Sequence, residues 1–300
     1  MTNFLISICI PAFKAEKYIL ETLNSIKAQT YKNWEIIVIE DASNDGTKKI
    51  VEEFSKECHN RISYFKNEEN IGVASTRNKA AEISKGDWIA FIDSDDLWRE
   101  AHLEDLISIL NIESKAELVH SLFEIFDTDT REIINKHPII TGATLDKFPL
   151  SLYDRSYFIQ TSSVMISRRL FEQTGGFKSY FTPCEDLELW FRSAKMGFKF
   201  ACTNNYTSLY RKVDGGGLTS NSIKLNYGTA KVYQEYLNWD IIPQKIRTQF
   251  ITNNWISLAR IARNENDTLA KSAILMSIKS KITFYNLMFY LYLIMFTRNK

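Results

Sequence analysis

The densest concentration of reactive side chains in the chain is Asp93-Ser94-Asp95-Asp96. Carboxylate oxygens are hard donors, and two of them two positions apart can share one hard cation. The stretch before them, Trp88-Ile89-Ala90-Phe91-Ile92 after Asp87, is a continuous apolar run. Such a run suits a parallel strand buried on both faces. In open α/β sheets ligands sit beyond the carboxyl ends of the strands, which is where Asp93, Asp95 and Asp96 fall. If the extended geometry continues past Ile92, Asp93 and Asp95 point to the same side. Taken alone, the stretch is also readable as a strand followed by a polar turn, with Asp96 capping the next helix.

Two further acidic sets stand out. Glu40-Asp41-Ala42-Ser43-Asn44-Asp45-Gly46-Thr47 is a polar loop with a helix starting near its end, and Asp45 suits a turn or helix-cap role. Glu185-Asp186 follows Thr182-Pro183 and falls at or just before a helix start. A carboxylate there is held rigidly beside the positive end of the helix dipole. Gly-rich phosphate cradles are absent: neither G-x-x-x-x-G-K-[ST] nor G-x-G-x-x-G occurs. Cys9, Cys58, Cys184 and Cys202 are scattered, and the four histidines have no metal-ligand spacing. This argues against a zinc site or disulfide framework and for a reducing, cytoplasmic setting.

These residues need elements to hold them. Residues 4–10 form an apolar run stopped by Pro11, a first strand. Ile19, Leu23 and Ile26 recur at helical spacing. Residues 34–39 predict a second strand, 62–65 a third, and 73–84 a helix, with the fourth strand ending at the Asp cluster. Strand and helix alternate through the first hundred residues, which predicts a mostly parallel sheet with helices on both faces. Beyond Leu97 the expected order is a helix over 101–110, a strand over 118–126, an irregular stretch over 127–157 and a strand over 163–167. A break at Gly175-Gly176-Phe177, a helix over 185–196 and two short strands, 198–202 and 206–211, follow. Gly215-Gly216-Gly217 marks the expected boundary between domains 1–215 and 216–300, the second helical.

With 37 basic and 36 acidic residues among 300, no bulk electrostatic partner such as nucleic acid is expected. The N-terminus lacks a basic n-region and a small-residue cleavage site, so no signal peptide is expected. Residues 282–297 are apolar and aromatic but shorter than the roughly 20 residues a spanning helix needs. Lys279, Lys281, Arg298 and Lys300 flank them. The segment reads either as a buried terminal helix or as one lying on a membrane surface through 280–300.

In order and spacing, six segments across about residues 4–212 resemble the family 2 glycosyltransferases. They are Ser7-Ile8-Cys9-Ile10-Pro11-Ala12-Phe13, Glu40 to Thr47, Asn70-Ile71-Gly72-Val73-Ala74-Ser75-Thr76-Arg77-Asn78, Asp93-Ser94-Asp95, Gly175-Gly176-Phe177 and Glu185-Asp186. The resemblance implies a GT-A fold. It also implies transfer of a sugar, with inversion at the anomeric carbon, from a nucleotide-sugar (a UDP-sugar by preference) to a saccharide or polyprenol-linked acceptor. By resemblance Asp95 is the ligand of Mn2+ or Mg2+, and Asp93 holds the ribose, or the metal through water. Asp41 accepts a hydrogen bond from the base, Pro11, Ala12 and Phe13 wall the base, and Arg77 sits near base or diphosphate. Asp186 matches the general base. Glu40, Asp96, Glu185 and Arg211 are secondary candidates. Gly175 and Gly176 read as a turn, and Trp190 as core.

One departure stands out. Many relatives carry Tyr-Arg-x-His where this chain has Tyr210-Arg211-Lys212-Val213-Asp214, so Lys212 or Asp214 replaces the histidine's contact or the contact is absent. Gln244-Lys245-Ile246-Arg247-Thr248 lacks the tryptophan of the processive synthases, which implies a non-processive enzyme. The expected role is cell-surface polysaccharide or lipopolysaccharide assembly, at the cytoplasmic face of a membrane. A sugar nucleotidyltransferase and a non-catalytic sugar-binding scaffold are the competing readings. The first should carry a basic Gly-rich loop where Pro11-Ala12-Phe13-Lys14 stands. The second fits poorly with Asp93, Asp95 and Asp186 occurring together.

Overall fold

The computed structural model describes residues 3–58, 61–213, 222–263 and 265–296. In chain order the first elements are β1 (Ile6–Ala12), α1 (Ile19–Lys27), β2 (Trp34–Glu40), α2 (Thr47–Ser55), β3 (Ile62–Lys66), α3 (Val73–Ile83) and β4 (Trp88–Phe91). This is the alternation the apolar runs predict. β5 (Leu97–Trp98), α4 (His102–Ile112), β6 (Ala116–Asp127), β7 (Ile133–Lys136), α5 (Gly142–Leu145) and α6 (Leu150–Tyr153) follow. Then come β8 (Val164–Ser167), α7 (Arg168–Thr174), α8 (Glu185–Lys195) and β9 (Lys199–Lys212). α9 (Ser222–Glu235), α10 (Gln244–Ala262), α11 (Asp267–Ser280) and α12 (Phe284–Phe296) complete the described chain.

The strands form one sheet in the order β3-β2-β1-β4-β8-β6-β9-β5, with β7 paired to β6. β1 pairs parallel with β2 and β4, and β2 with β3. β8 runs antiparallel to β4 and β6, while β6 and β9 are parallel. Every residue of β1 is buried, and Ile19, Leu23 and Ile26 of α1 pack into the same core as Ile6, Ile8 and Ile10. Each such side chain removed from water contributes about 1.5–3 kcal/mol.

Two expectations are corrected. The two short strands after α8 are one strand, β9, whose pairing with β6 shifts register between His120 and Leu122 and again by Phe123. The irregular stretch contains β7 and two helices of one turn each. Gly46 rather than Asp45 occupies the cap position of α2, yet Asp45 keeps a turn-and-cap role: its Oδ1 accepts from Thr47 N–H, the first residue of the helix, at 3.4 Å and from Ser43 Oγ at 3.1 Å, and its Oδ2 accepts from Glu16 N–H at 3.0 Å.

The chain divides into two compact units. The first comprises residues up to Asp146, Phe158–Ser179 and Arg192 to 213; the second comprises Lys147–Tyr157, Tyr180–Phe191 and the described residues from 222. The sheet lies in the first unit. Gly215-Gly216-Gly217 and Asp214 lie outside the described residues, as do Arg298 and Lys300. In the second unit Tyr153, Phe191, Tyr233, Tyr236, Trp239 and Phe250 form an aromatic core, with Tyr153 and Phe191 stacked at 5.3 Å. α9 lies against the turn before α8. A Cβ on Gly228 would sit 3.0 Å from Cys184 Sγ and 3.3 Å from Phe181 O, so that approach requires glycine.

Candidate active site

β4 ends at Phe91, and the extended geometry does not reach Asp95. Asp93 to Asp96 form a turn instead, in which Asp96 N–H donates to Asp93 O at 3.1 Å. Thr22 Oγ1 on α1 reaches Ser94 O at 3.0 Å and Asp96 O at 2.9 Å. The carboxylates are therefore aimed by a turn that three neighbouring segments hold.

Asp93 and Asp95 are the half-buried members of the cluster. Arg77 Nη2 donates to Asp93 Oδ1 at 2.6 Å, and the Arg77 guanidinium lies over Phe177 at 5.5 Å. Arg77, on α3, is itself buried. Asn78 locks that arrangement: its Nδ2 donates to Phe177 O at 2.7 Å and its Oδ1 accepts Phe177 N–H at 2.8 Å. Gly176, with φ of 70°, makes the approach possible, because a Cβ there would lie 2.4 Å from Asn78 Oδ1. The Gly175-Gly176-Phe177 break is thus the turn that seats the partner of Asp93.

Burial, and then the charge of Asp93, raises the Asp95 carboxyl to about 6. The Asp93 and Asp95 carboxyl groups feel each other's charge, and two guanidinium groups, Arg211 and Arg77, lie near enough to Asp95 to offset it in part. That donor set fits a hard divalent cation, since Mg2+ takes one or two carboxylates and completes its shell with water and phosphate oxygens. Among the described residues no group of three or more His, Cys, Asp or Glu is arranged to hold a metal by itself.

Asp96 faces inward and is fully buried. Its Oδ2 accepts Ser162 Oγ at 2.5 Å and Gln160 Nε2 at 3.0 Å, and its Oδ1 accepts Arg211 N–H at 2.9 Å. It caps no helix; the cap residue of α4 is Ala101. Burial, then the charges of Asp95 and Asp93, pushes its carboxyl well above the usual carboxylate range. Arg211 holds the same turn from the β9 side, donating from Nε to Asp95 O at 2.6 Å and from Nη2 to Glu21 Oε2 at 2.9 Å. Its guanidinium lies over Tyr18 at 4.5 Å and Phe126 at 4.7 Å. Ser162 is the residue sequence reasoning missed. Its hydroxyl accepts Asp93 N–H at 3.0 Å while donating to Asp96, and its carbonyl accepts Trp98 Nε1–H at 2.6 Å. The Tyr-Arg pattern pointed to Arg211; nothing in a run of Thr161-Ser162-Ser163 points to Ser162.

A second group gathers at the end of β2. Asp41 is 4% exposed. Its Oδ1 accepts Asn67 Nδ2 and Ile71 N–H, each at 2.9 Å, and its Oδ2 accepts Gly72 N–H at 2.9 Å. It shapes the 67–72 loop and leaves one acceptor position on Oδ2. Glu40 accepts from Tyr64 Oη at 2.5 Å, Ser43 Oγ at 3.0 Å and Lys66 Nζ at 3.1 Å, bonds that tie the end of β2 to β3 and to the loop after β2. Pro11 and Ala12 end β1, buried, whereas Phe13 is 49% exposed with Lys14 Nζ 5.3 Å from its ring.

Glu185 and Asp186 open α8 in the second unit. Glu185 is buried and Asp186 half-buried, with Leu187 N–H donating to Asp186 Oδ1 at 2.6 Å. Trp190 is core, as expected, and Leu189 is buried beside it.

Residues 7–175 match the family described as Glycosyl transferase family 2. The putative teichuronic acid biosynthesis glycosyltransferase TuaG of Bacillus subtilis (strain 168) is 34% identical over 245 residues, covering 78% of this chain and 90% of TuaG. The Escherichia coli enzyme WfgD, a UDP-Glc:alpha-D-GlcNAc-diphosphoundecaprenol beta-1,3-glucosyltransferase, is 30% identical over 224 residues, covering 75% of this chain and 83% of WfgD. Among solved structures, S. aureus TarS 1-349 in complex with UDP-GlcNAc superposes with a TM-score of 0.69 at 18% identity, over 92% of this chain and 81% of that one. The Pyrobaculum calidifontis mannosyltransferase PcManGT in complex with GDP-Man and Mn2+ gives 0.65 at 16% identity, over 98% and 86%. At such identities the structures speak to the fold, which is GT-A. By its match across residues 7–175 and its identity to these relatives, the chain belongs to glycosyl transferase family 2 and is a glycosyltransferase.

Proposed function

We propose that this enzyme moves a sugar from a nucleotide-sugar, by preference a UDP-sugar, to a hydroxyl of a saccharide or polyprenol-linked acceptor, inverting the anomeric carbon. The product belongs to cell-surface polysaccharide or lipopolysaccharide assembly. The observation that carries this reading is the Asp93–Asp95 pair beyond β4, with Arg77 bound to Asp93, in a family 2 chain. The names of TuaG and WfgD support the polysaccharide setting and a lipid-linked acceptor. The UDP-GlcNAc of TarS and the Mn2+ of PcManGT support donor class and metal. The four free cysteines, three of them buried, suit a reducing compartment.

In this reading Asp95 holds the divalent ion, with Asp93 beside it. When bound, the ion supplies positive charge to the departing nucleoside diphosphate. Arg77 fixes Asp93 and screens its charge. The remaining acceptor position on Asp41 Oδ2 suits the N3–H of uracil, and Pro11, Ala12 and Phe13 wall the base. The acceptor oxygen attacks the anomeric carbon, the bond from that carbon to the diphosphate oxygen breaks, and the acceptor proton passes to Asp186. The 67–72 loop that Asp41 builds orients the nucleoside, so its cost is met before the donor arrives.

A panel of nucleotide-sugars with Mn2+ and saccharide acceptors, followed by NMR of the product's anomeric configuration, tests this. Inverted product from one donor is expected. Retained configuration sinks the mechanism. Pyrophosphate formed from a nucleoside triphosphate and a sugar phosphate would identify a nucleotidyltransferase, and donor binding without any turnover a scaffold.

A further inference from the structure

The last described helix, α12, has a defined start. Asn286 Oδ1 accepts Thr283 N–H at 2.8 Å, and Thr283 Oγ1 accepts Asn286 N–H at 3.1 Å, a reciprocal cap. Asn286 Nδ2 also donates to Lys281 O at 2.7 Å. This cap defines where the helix begins. Phe289 and Leu293 are buried within the second unit, where α12 packs on α11.

The opposite face is apolar too. Phe284, Leu287, Met288, Leu291 and Tyr292 are all exposed, Phe284 by 82%. Their spacing of three and four residues places them on one stripe. An ordinary surface helix carries charge there. A contiguous exposed apolar face of this kind marks an interaction surface.

Charge says what the surface meets. Residues 222–300 carry eleven Lys and Arg against four Asp and Glu, while residues 1–221 carry 26 against 32. The near-neutral total hides a basic C-terminal region on an acidic remainder. Basic groups also border the stripe. Lys279 and Lys281, both exposed, precede α12. Arg260 of α10 lies over Tyr285 at 4.8 Å and donates from Nε to its hydroxyl at 2.9 Å. A second copy of the chain would set this basic rim against itself, whereas an anionic bilayer complements both the apolar stripe and the rim. No described helix is long and apolar enough to cross a membrane.

We propose that α12 lies in the plane of an anionic bilayer surface, with Phe284, Leu287, Met288, Leu291 and Tyr292 entering the headgroup–acyl boundary and Lys279, Lys281 and Arg260 on the headgroups. Phe289 and Leu293 tie this helix to the body of the second unit. The surface would keep the enzyme where a lipid-linked acceptor resides, but it stands on exposure and charge alone and survives if the acceptor assignment fails.

The test is sedimentation of the full-length protein with vesicles of phosphatidylcholine, with and without phosphatidylglycerol. Binding is expected only to the anionic vesicles and should weaken with salt. Leu287→Asp with Leu291→Asp, at exposed positions that leave the fold intact, should abolish it at unchanged melting temperature. Lys279→Gln with Lys281→Gln should lower the partition coefficient about fivefold per basic residue removed. Absence of binding to anionic vesicles, or binding indifferent to both variants, overturns the proposal. So does a dimer that the Leu287→Asp, Leu291→Asp protein loses while neither protein binds vesicles, which would assign the face to a second copy.

Discussion

Ser162→Ala should loosen the carboxylate turn from beneath. The hydroxyl accepts Asp93 N–H at 3.0 Å and donates to Asp96 Oδ2 at 2.5 Å, with Ser162 and Asp96 themselves fully buried. Alanine removes both bonds. The bond to a carboxyl oxygen is worth about 1.5–3 kcal/mol, and a part-buried N–H left unmet costs about 1–3 kcal/mol. Asp96 keeps Gln160 Nε2 on Oδ2 and Arg211 N–H on Oδ1, which limits the damage. A net loss of about 2–4 kcal/mol is expected, read as a lower urea midpoint at unchanged slope. Ser163→Ala is the internal control. Ser163 is equally buried, but its hydroxyl only donates to Gln160 O at 2.7 Å, so about 1 kcal/mol is expected. Ser162→Ala should also weaken Mn2+-dependent UDP binding, because the Asp93 backbone loses its anchor; Ser163→Ala should not. Equal losses from the two alanines, with UDP binding unchanged in both, would refute the anchoring role.

Gly176→Ala should cost about 2–4 kcal/mol, from left-handed backbone strain together with the collision with Asn78, whereas Gly175→Ala, with φ of 74° and open space at its Cβ, should cost about 1–2 kcal/mol; urea unfolding of the pair compares them. Burial lowers His102 to about 3, with Nδ1 2.8 Å from Thr207 Oγ1 and the ring stacked on Trp98. Its unfolded-state value is near 6.5, so the unfolded chain binds the extra proton and stability falls as pH drops from about 6.5 toward 3, by at most about 1.4 kcal/mol per pH unit. His102→Gln should therefore flatten the acid limb of melting temperature against pH, and an unchanged slope would contradict this. Asp186→Asn should cut transfer by about a hundredfold to ten-thousandfold while donor affinity and stability, to within about 1 kcal/mol, persist. Transfer within a few-fold of wild type would move the base assignment to Glu185.

The fold was legible where apolar runs alternate with helical spacing. β1 to β4 and the intervening helices fall where Ile8, Leu23, Val38 and Ile89 predict them, because a parallel strand covered on both faces reads as a nearly continuous apolar run. β9 was less legible: its polar Thr203-Asn204-Asn205 stretch looks like a break, yet pairing with β6 continues on either side through register shifts. The carboxylate cluster was visible as a motif, but its aim was not. Asp93, Asp95 and Asp96 are alike in sequence, and what separates them lies far along the chain. Ser162 is 69 residues from Asp93, Arg211 is 116 from Asp95, and Asn78 is 99 from Phe177. Hydrogen bonds across such separations leave no periodicity to read. Glu40 shows the converse: beside Asp41 it looks like a second site carboxylate, yet its oxygens already accept from Tyr64 and Lys66 of β3 and from Ser43 of the loop after β2.

Asp95 is the residue proposed to bind a divalent ion for the nucleoside diphosphate, and titration calorimetry of UDP tests that role most directly. Wild-type protein should bind UDP with Mn2+ and lose that binding in EDTA. Asp95→Ala should show the weak, metal-independent level in both buffers while unfolding as cooperatively as the wild type. UDP binding by Asp95→Ala with wild-type affinity and wild-type Mn2+ dependence would contradict the assignment and move the metal site away from the end of β4.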